Sequence, residues 1–325
     1  MRILITGGTG FLGQHLARTL QTQGHSISIL GRDFSEVKSL LAAGARAIEA
    51  DLRDASAVRK ACRQCEVVYH AGALSAAWGR REDFFAVNVG GTEAVVAGCL
   101  EADVKRLIYV SSPSVVFNGK DQYEATEAVT YPRRFVSIYS LTKKLGEDHV
   151  RSAPPSLETV IIRPKAIFGP GDRSLLPQLI AAARKRRLPQ VGSGNNLVDL
   201  TYVENVVEAL VLALEADAAI GKIYTITNGE HANLWDTIRG VLQQLDLPTN
   251  LRRVSLSVAL TAAAIMEARA SLTGQEPLLT RYSAAILGRT QTYDISAARR
   301  DLGYVPRISL VEGIERTLAS LQEVS

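Results

Sequence analysis

Tyr139 and Lys143 stand four residues apart in the run Tyr139-Ser140-Leu141-Thr142-Lys143, a spacing that puts a phenol and an ammonium on one face of a helix. A free phenol titrates near about 10 and is a poor base at neutral pH. A neighbouring ammonium favours the phenolate and draws it towards the working range of a general acid–base group. Such a pair arises often by chance, so its company decides its weight. A strand-like run upstream ends in Tyr109-Val110-Ser111-Ser112-Pro113-Ser114. A serine hydroxyl at such a strand end can hold a substrate oxygen and stabilise an alkoxide, although helix N-capping is a rival use.

The third component is Gly7-Gly8-Thr9-Gly10-Phe11-Leu12-Gly13, placed between the first strand-like run and the first helical one. Glycines here permit a tight turn and let backbone approach a pyrophosphate, which the helix N-terminus then receives with N–H groups and a positive dipole end. Gly7, Thr9, Gly10, Phe11 and Leu12 are the candidate contacts. The end of the second strand selects the dinucleotide: an acidic residue grips a free ribose hydroxyl, an arginine a 2′-phosphate. Ile29-Leu30-Gly31-Arg32-Asp33 offers space and then a guanidinium, which favours NADP(H) over NAD(H). Asp51, followed by Leu52, could accept from an adenine amine or cap the next helix. With a nicotinamide in place, Lys143 could also bond its ribose. Glycine turn, serine strand end and Tyr/Lys helix in this order point to hydride transfer at an alcohol or ketone carbon.

A fold must bring these distant residues together. Apolar, β-branched runs at 2–6, 26–30, 47–49, 67–70, 107–111 and 159–163 alternate with helical stretches at 12–21, 35–43, 55–61, 82–101 and 138–151. That alternation predicts an α/β fold: a doubly wound parallel sheet covered on both faces, with ligands at the strands' carboxyl ends. Residues 1–165 form the expected dinucleotide-binding domain. Residues 166–325 form a smaller, partly interleaved substrate lobe, with segments near 197–228 returning to the main sheet. Its helices are expected at 176–186, 203–214, 234–244 and 255–270, its strands near 197–202 and 222–227.

Composition narrows the class. Of 325 residues 46% are apolar and 22% charged, ordinary globular usage, and a net charge of +4 is too mild to argue for nucleic acid. Arg184-Lys185-Arg186-Arg187 reads as the solvated end of a helix. The apolar run Ile3-Leu4-Ile5 directly after Met1 predicts no signal peptide. Three cysteines give no disulfide framework and fit a reducing cytoplasm. Cys62 and Cys65 form a Cys-x-x-Cys, but no second pair completes a zinc ribbon, and the pair follows a helix rather than opening one. No metal site is expected. The stretch 254–266 is apolar but too short to span a bilayer, which takes about 20 residues.

With these motifs the chain resembles the extended short-chain dehydrogenase/reductase family, within the NAD-dependent epimerase/dehydratase superfamily. His70-Ala71-Gly72-Ala73, Asn88-Val89-Gly90-Gly91-Thr92, Arg163-Pro164 and Phe168-Gly169-Pro170-Gly171-Asp172 carry the resemblance through the middle of the chain. Asn228-Gly229-Glu230 and Leu302-Gly303-Tyr304-Val305-Pro306 carry it to the end. Ser111-Ser112-Pro113-Ser114-Val115-Val116-Phe117 is most similar to the 3β-hydroxysteroid and sterol-carboxylate dehydrogenase branch. Ala77-Trp78-Gly79 and Leu278-Leu279-Thr280-Arg281-Tyr282 are similar to reductases of long 2-alkyl-3-oxo acids.

The resemblance implies Ser112 as catalytic serine, Tyr139 as acid–base and Lys143 as its partner. It implies cofactor contacts at Ala71, Gly72, Ala73 and Ser111, with Pro164 and Ile167 beside the nicotinamide. Asn88 would shape the helix near the active site. Dehydratases of this superfamily carry an Asp-Glu pair where Pro113-Ser114 stand, and epimerases an Asn where the chain reads Pro164-Lys165-Ala166-Ile167. The departures disfavour a dehydratase and weaken an epimerase beside a dehydrogenase or reductase, and the presence of both Tyr139 and Lys143 disfavours a catalytically idle NADP-binding protein. Residues 255–270 with Trp78, Phe84 and Phe85 are expected either to cover a bulky hydrophobic substrate or simply to pack a helical core. Helices 82–101 and 138–151 resemble those that pair in homodimers of the family, and no membrane span is expected.

Overall fold

The computed structural model describes residues 1–322. The first half lays down β1 (Arg2–Thr6), α1 (Phe11–Thr22), β2 (Ser26–Gly31), α2 (Lys38–Ala42), β3 (Arg46–Glu49), α3 (Ala55–Ala61) and β4 (Val67–His70). It continues with α4 (Arg81–Phe84), α5 (Gly91–Glu101), β5 (Arg106–Val110), β6 (Gln122–Ala125), α6 (Ile138–Arg151) and β7 (Glu158–Pro164). Successive side chains of each strand enter opposite faces of the sheet. Ile3, Ile5, Ile27, Ile29, Ile108 and Ile162 pack on one face with α1. Leu4, Leu30, Val68, Leu107, Tyr109 and Ile161 pack on the other with α3 and α5. Each fully buried side chain of this kind contributes roughly 1.5–3 kcal/mol.

The second half adds β8 (Ile167–Phe168), α7 (Leu175–Arg184), β9 (Gln190–Val191), β10 (Leu197–Asp199), β11 (Thr201–Tyr202), α8 (Val203–Glu215) and β12 (Ile223–Ile226). After these come β13 (His231–Asn233), α9 (Leu234–Gln244), β14 (Arg253–Val254), α10 (Leu256–Thr273), α11 (Arg281–Gly288), β15 (Gln291–Tyr293), α12 (Ser296–Leu302) and α13 (Leu310–Gln322).

The main sheet runs β12-β7-β5-β4-β1-β2-β3 with every pairing parallel. It is the doubly wound α/β sheet that the alternation predicts. The strand order reverses between β1 and β4, and there a crevice opens at the carboxyl edge. Within the segment 197–228, β12 joins this sheet and α8 packs on its face, while β10 pairs with β13 and β15 in a four-stranded lobe sheet ending in β6.

Two helices differ from the sequence pattern. The stretch 82–101 is not one regular helix: a π-helical segment, Phe85–Gly90, separates α4 from α5. The helix expected over 255–270 runs on to Thr273 as the 18-residue α10, past the apolar stretch that ends at 266. By length and composition alone, α10 and the stretch Arg81–Glu101 are long and apolar enough to cross a membrane, the second being half-buried in the protein. The inner stripe of α10, Ala259 and Ala263, packs on Trp235 and Ile238 of α9 and Ala284 of α11, which is helix-core packing. Arg184 to Arg187 are exposed at the end of α7.

The tie between α6 and β7 is an ion pair. Arg163 Nη2 and Nε donate to Glu147 Oε2 and Oε1 at 2.6 and 2.8 Å, and the Tyr131 hydroxyl donates to Oε2 at 2.7 Å. The two charged side chains are 2% and 0% exposed. Removing one partner leaves the other charged and dry. Glu147→Gln should therefore cost about 3–5 kcal/mol in urea unfolding; a loss under about 1 kcal/mol, the range of exposed pairs, would contradict this role.

Candidate active site

Every residue that the sequence proposes for catalysis or cofactor contact lines one cleft of about 540 Å³ at the carboxyl edge of the sheet. Gly7, Thr9, Gly10, Phe11 and Leu12 form its floor; Arg32, Asp51 and Leu52 lie at one end. Ala71, Gly72 and Ala73 form one wall, and Ser111, Ser112, Tyr139, Lys143, Pro164 and Ile167 surround the other end. Gly13, Gly31, Ser75, Val87, Val110, Ala166 and Ser174 line it as well. No motif marks most of these, because their place depends on strand ends meeting across the sheet.

The floor is built for close approach. Gly7 holds φ +67°, a left-handed value, and a Cβ there would lie 2.6 Å from Gly72 Cα. A Cβ on Gly13 would lie 2.3 Å from the Gly7 carbonyl oxygen. Gly10 caps α1 without a side chain, so no side-chain oxygen competes for the first N–H groups of the helix. The Ser111 hydroxyl is buried at the cleft without a partner. This cradle, the uncapped N-terminus and the orphaned hydroxyl fit a dinucleotide.

Opposite lies the polar end. Ser137 caps α6 by accepting the Ser140 N–H at 3.1 Å, which fixes the start of the helix one residue ahead of Tyr139. The Ser112 hydroxyl lies near enough to the Tyr139 phenol to favour its ionised form. It also accepts the Ser114 N–H at 3.2 Å, so capping and a site role coexist in one side chain. Lys143 is 2% exposed; its Nζ donates to the Val110 carbonyl at 2.7 Å and lies 4.0 Å from the Tyr109 ring centroid.

The charge pattern differs from the simple expectation. Burial pushes Tyr139 up to about 12 against the favourable Ser112 contact, and burial draws Lys143 down to about 7 despite the field of Glu147. The ammonium faces Val110 and Tyr109 rather than the phenol, so crowding outweighs it at Tyr139.

The supporting residues are equally specific. Asn88, placed by the π-helical segment, accepts the Leu74 N–H at 2.7 Å and donates to the Leu74 carbonyl and Thr142 Oγ1, each at 3.0 Å. It thereby ties the loop after β4 to α6. His70 bonds Thr6 Oγ1 through Nδ1 at 2.7 Å and Thr92 Oγ1 through Nε2 at 3.0 Å. Burial holds it down to about 3, so this imidazole is a neutral structural group.

Asp51 takes bonds from Arg53 Nε and Nη2 at 3.0 and 2.8 Å, while Asp54 caps α3. The cap alternative for Asp51 is thus filled by its neighbour. Of the expected aromatic cover, Phe84 is fully buried core and Arg81 stacks over Phe85 at 4.7 Å. Arg80 lies 3.7 Å from Glu82 on the surface.

The sequence profile of the 3-beta hydroxysteroid dehydrogenase/isomerase family matches residues 4–257. A 2-alkyl-3-oxoalkanoate reductase of Stenotrophomonas maltophilia (strain K279a) is 39% identical over 98% of this chain and 99% of its own. The decarboxylating sterol-4-alpha-carboxylate 3-dehydrogenase of Mus musculus is 32% identical over 98% and 91%. Among solved structures, MoeE5 in complex with UDP-glucose and NAD superposes with a TM-score of 0.79 over 100% of this chain and 99% of its own. At 23% identity that likeness shows the shared fold.

The glycine cradle yields a direct test. Gly13→Ala should weaken binding of a reduced nicotinamide dinucleotide at least about tenfold by fluorescence titration, since the turn must open to admit a methyl group. Unchanged affinity would remove the turn from the binding site.

Proposed function

The chain belongs to the 3-beta hydroxysteroid dehydrogenase/isomerase family, and from that premise we propose that it is an NADP(H)-dependent reductase of a bulky hydrophobic ketone, steroid-like or a long-chain 3-oxo acid. That it is a dehydrogenase or reductase acting on hydroxyl and keto groups follows from the family and its relatives. The observation that carries the specific reading is the meeting of Tyr139, Ser112 and Lys143 in the same cleft as the glycine cradle.

A bound nicotinamide supplies or accepts the hydride at the carbinol carbon. Tyr139 gives the carbonyl oxygen its proton in reduction and takes it back in oxidation. A phenol held at about 12 is protonated throughout the neutral range, the form that reduction needs. Ser112 donates to the same oxygen and stabilises its developing charge. Lys143, anchored on the Val110 carbonyl, presents its remaining N–H groups to the ribose.

NADP(H) is favoured over NAD(H) by two features. The Arg32 side chain is 75% exposed and its nearest carboxylate contact, Asp51, is 3.8 Å away, so its guanidinium can turn to a 2′-phosphate. At position 31 a Cβ would lie 2.6 Å from Thr9 Cγ2, which leaves no room for the acidic residue that grips a free ribose. The apolar stretch Arg81–Glu101, half-buried in the protein, supports a homodimer, and three buried thiols without disulfides agree with the cytoplasm. An epimerase would return its cofactor unchanged; net oxidation of NADPH by a ketone separates the two readings.

Tyr139→Phe should lower kcat by about 10²–10⁴ with NADPH affinity unchanged; full activity in that variant would dismiss Tyr139. Oxidation should keep climbing with pH beyond about 9, because a phenol raised above its ordinary value surrenders its proton only at high pH. A plateau reached at pH 7 would assign the proton to another group. Arg32→Ala should raise KM for NADPH at least about tenfold and leave NADH nearly unaffected; an equal effect on both would remove the 2′-phosphate contact.

A further inference from the structure

The run Phe168-Gly169-Pro170-Gly171-Asp172 takes no part in the chemistry at Tyr139, yet it passes along the cleft. It leaves β8 after Ile167, which lines the cleft, and enters α7 through Ser174, which lines it too. Asp172, 5% exposed, makes the segment stiff. Its Oδ1 accepts the Ser174 and Leu175 N–H groups at 2.8 and 3.1 Å, and its Oδ2 the Leu176 N–H at 3.0 Å. These bonds join the segment to the first turn of α7, so the two move as one piece.

Three contacts tie this strap to the dinucleotide-binding half. His15 Nε2, on α1, donates to the Pro170 carbonyl at 2.9 Å. Gly171 lies against Phe11, where a Cβ would stand 3.8 Å from ring atom Cδ2, and Phe11 meets His15 edge-on. The third contact is an ion pair, in which Arg173 Nη2 donates to Glu36 Oε2 at 2.6 Å.

That ion pair spans the crevice. Glu36 lies in the turn Ser35–Val37 after β2, just past Arg32, which lines one end of the cleft. Arg173 comes from the β7–β8 side. In the sheet order β2 and β7 stand on opposite sides of the β1–β4 reversal where the crevice opens. The two side chains are 73% and 53% exposed, so water and salt can part them at little cost.

We propose that Gly169–Ser174 is a gating strap at the mouth of the dinucleotide cleft, and that the Arg173–Glu36 pair is its latch. Opening the latch lets the dinucleotide in and out without disturbing the glycine cradle that grips it. A gate changes the barrier to passage in both directions and leaves the balance between bound and free unaltered. Arg173 is thus a positioning residue, acting through the strap. The proposal rests on the cleft holding a dinucleotide and is independent of which ketone is reduced there.

Stopped-flow fluorescence of NADPH with the full-length protein reads entry, and displacement by excess NADP⁺ reads release. Arg173→Met and Glu36→Gln should each raise both rates about two- to fivefold, the reach of an exposed ion pair. Kd should change by less than about twofold. The double variant should be no faster than either single one. At about 1 M KCl, where such a pair is screened, wild type and variants should release at one rate. Normal Kd with both rates unaltered in the variants overturns the strap alone. Release that speeds in Arg173→Met but slows in Glu36→Gln also overturns it, because that pattern marks Arg173 as a direct phosphate ligand. A wild type that binds neither NADPH nor NADH removes the dinucleotide reading and the strap with it.

Discussion

The buried pair Arg163–Glu147 sets the geometry on which the rest depends. Glu147 lies one turn beyond Lys143 on α6, and Arg163 immediately precedes Pro164 on β7. One ion pair therefore fixes the helix that carries the phenol and ammonium against the strand end that walls the cleft. Tyr131 completes it by donating to Glu147 and accepting from Arg163 Nη2 at 3.0 Å. Such a pair adds little net stability over apolar packing, but it tolerates few alternative alignments. Position is what an acid–base site needs, since an error of about 1 Å in placement costs rate steeply.

The same burial that fixes these groups also sets their protonation. Tyr139 and Lys143 move in opposite directions, the phenol up and the ammonium down, because desolvation disfavours the charged form of each. A neutral phenol is a proton donor, the form that the proposed reduction uses. The i, i+4 spacing brings the pair onto one face but does not fix where the ammonium points. Val110, at the end of β5, settles that by offering a carbonyl.

The sheet was legible because its inner strands are largely apolar and separated by amphipathic helices, so the boundaries of β1, β4 and α6 are plain in the residues alone. The second half of the chain was not. Its strands β8, β9, β11 and β14 are two residues long, too short for any periodic signal, and they pair with partners distant in the chain. The stretch 197–202 reads as one strand, yet Leu200 divides it between two sheets. The glycine turn, Ser112, Tyr139 and Lys143 announce themselves by local motifs. Lys165 and Gln291 carry no motif, and only the fold joins them, the Lys165 ammonium donating to Gln291 Oε1.

The π-helical segment Phe85–Gly90 bears on how this family of sequences can drift. An α-helix that widens by one residue for a single turn accommodates an insertion without disturbing the helix on either side. Deleting one residue from 85–90 would restore regular α geometry and leave the inward stripe of α5 in register. Asn88 would lose the widened turn that aims it at Leu74 and Thr142. The cost of such a deletion falls on the tie between the loop after β4 and α6, not on the packing of α5.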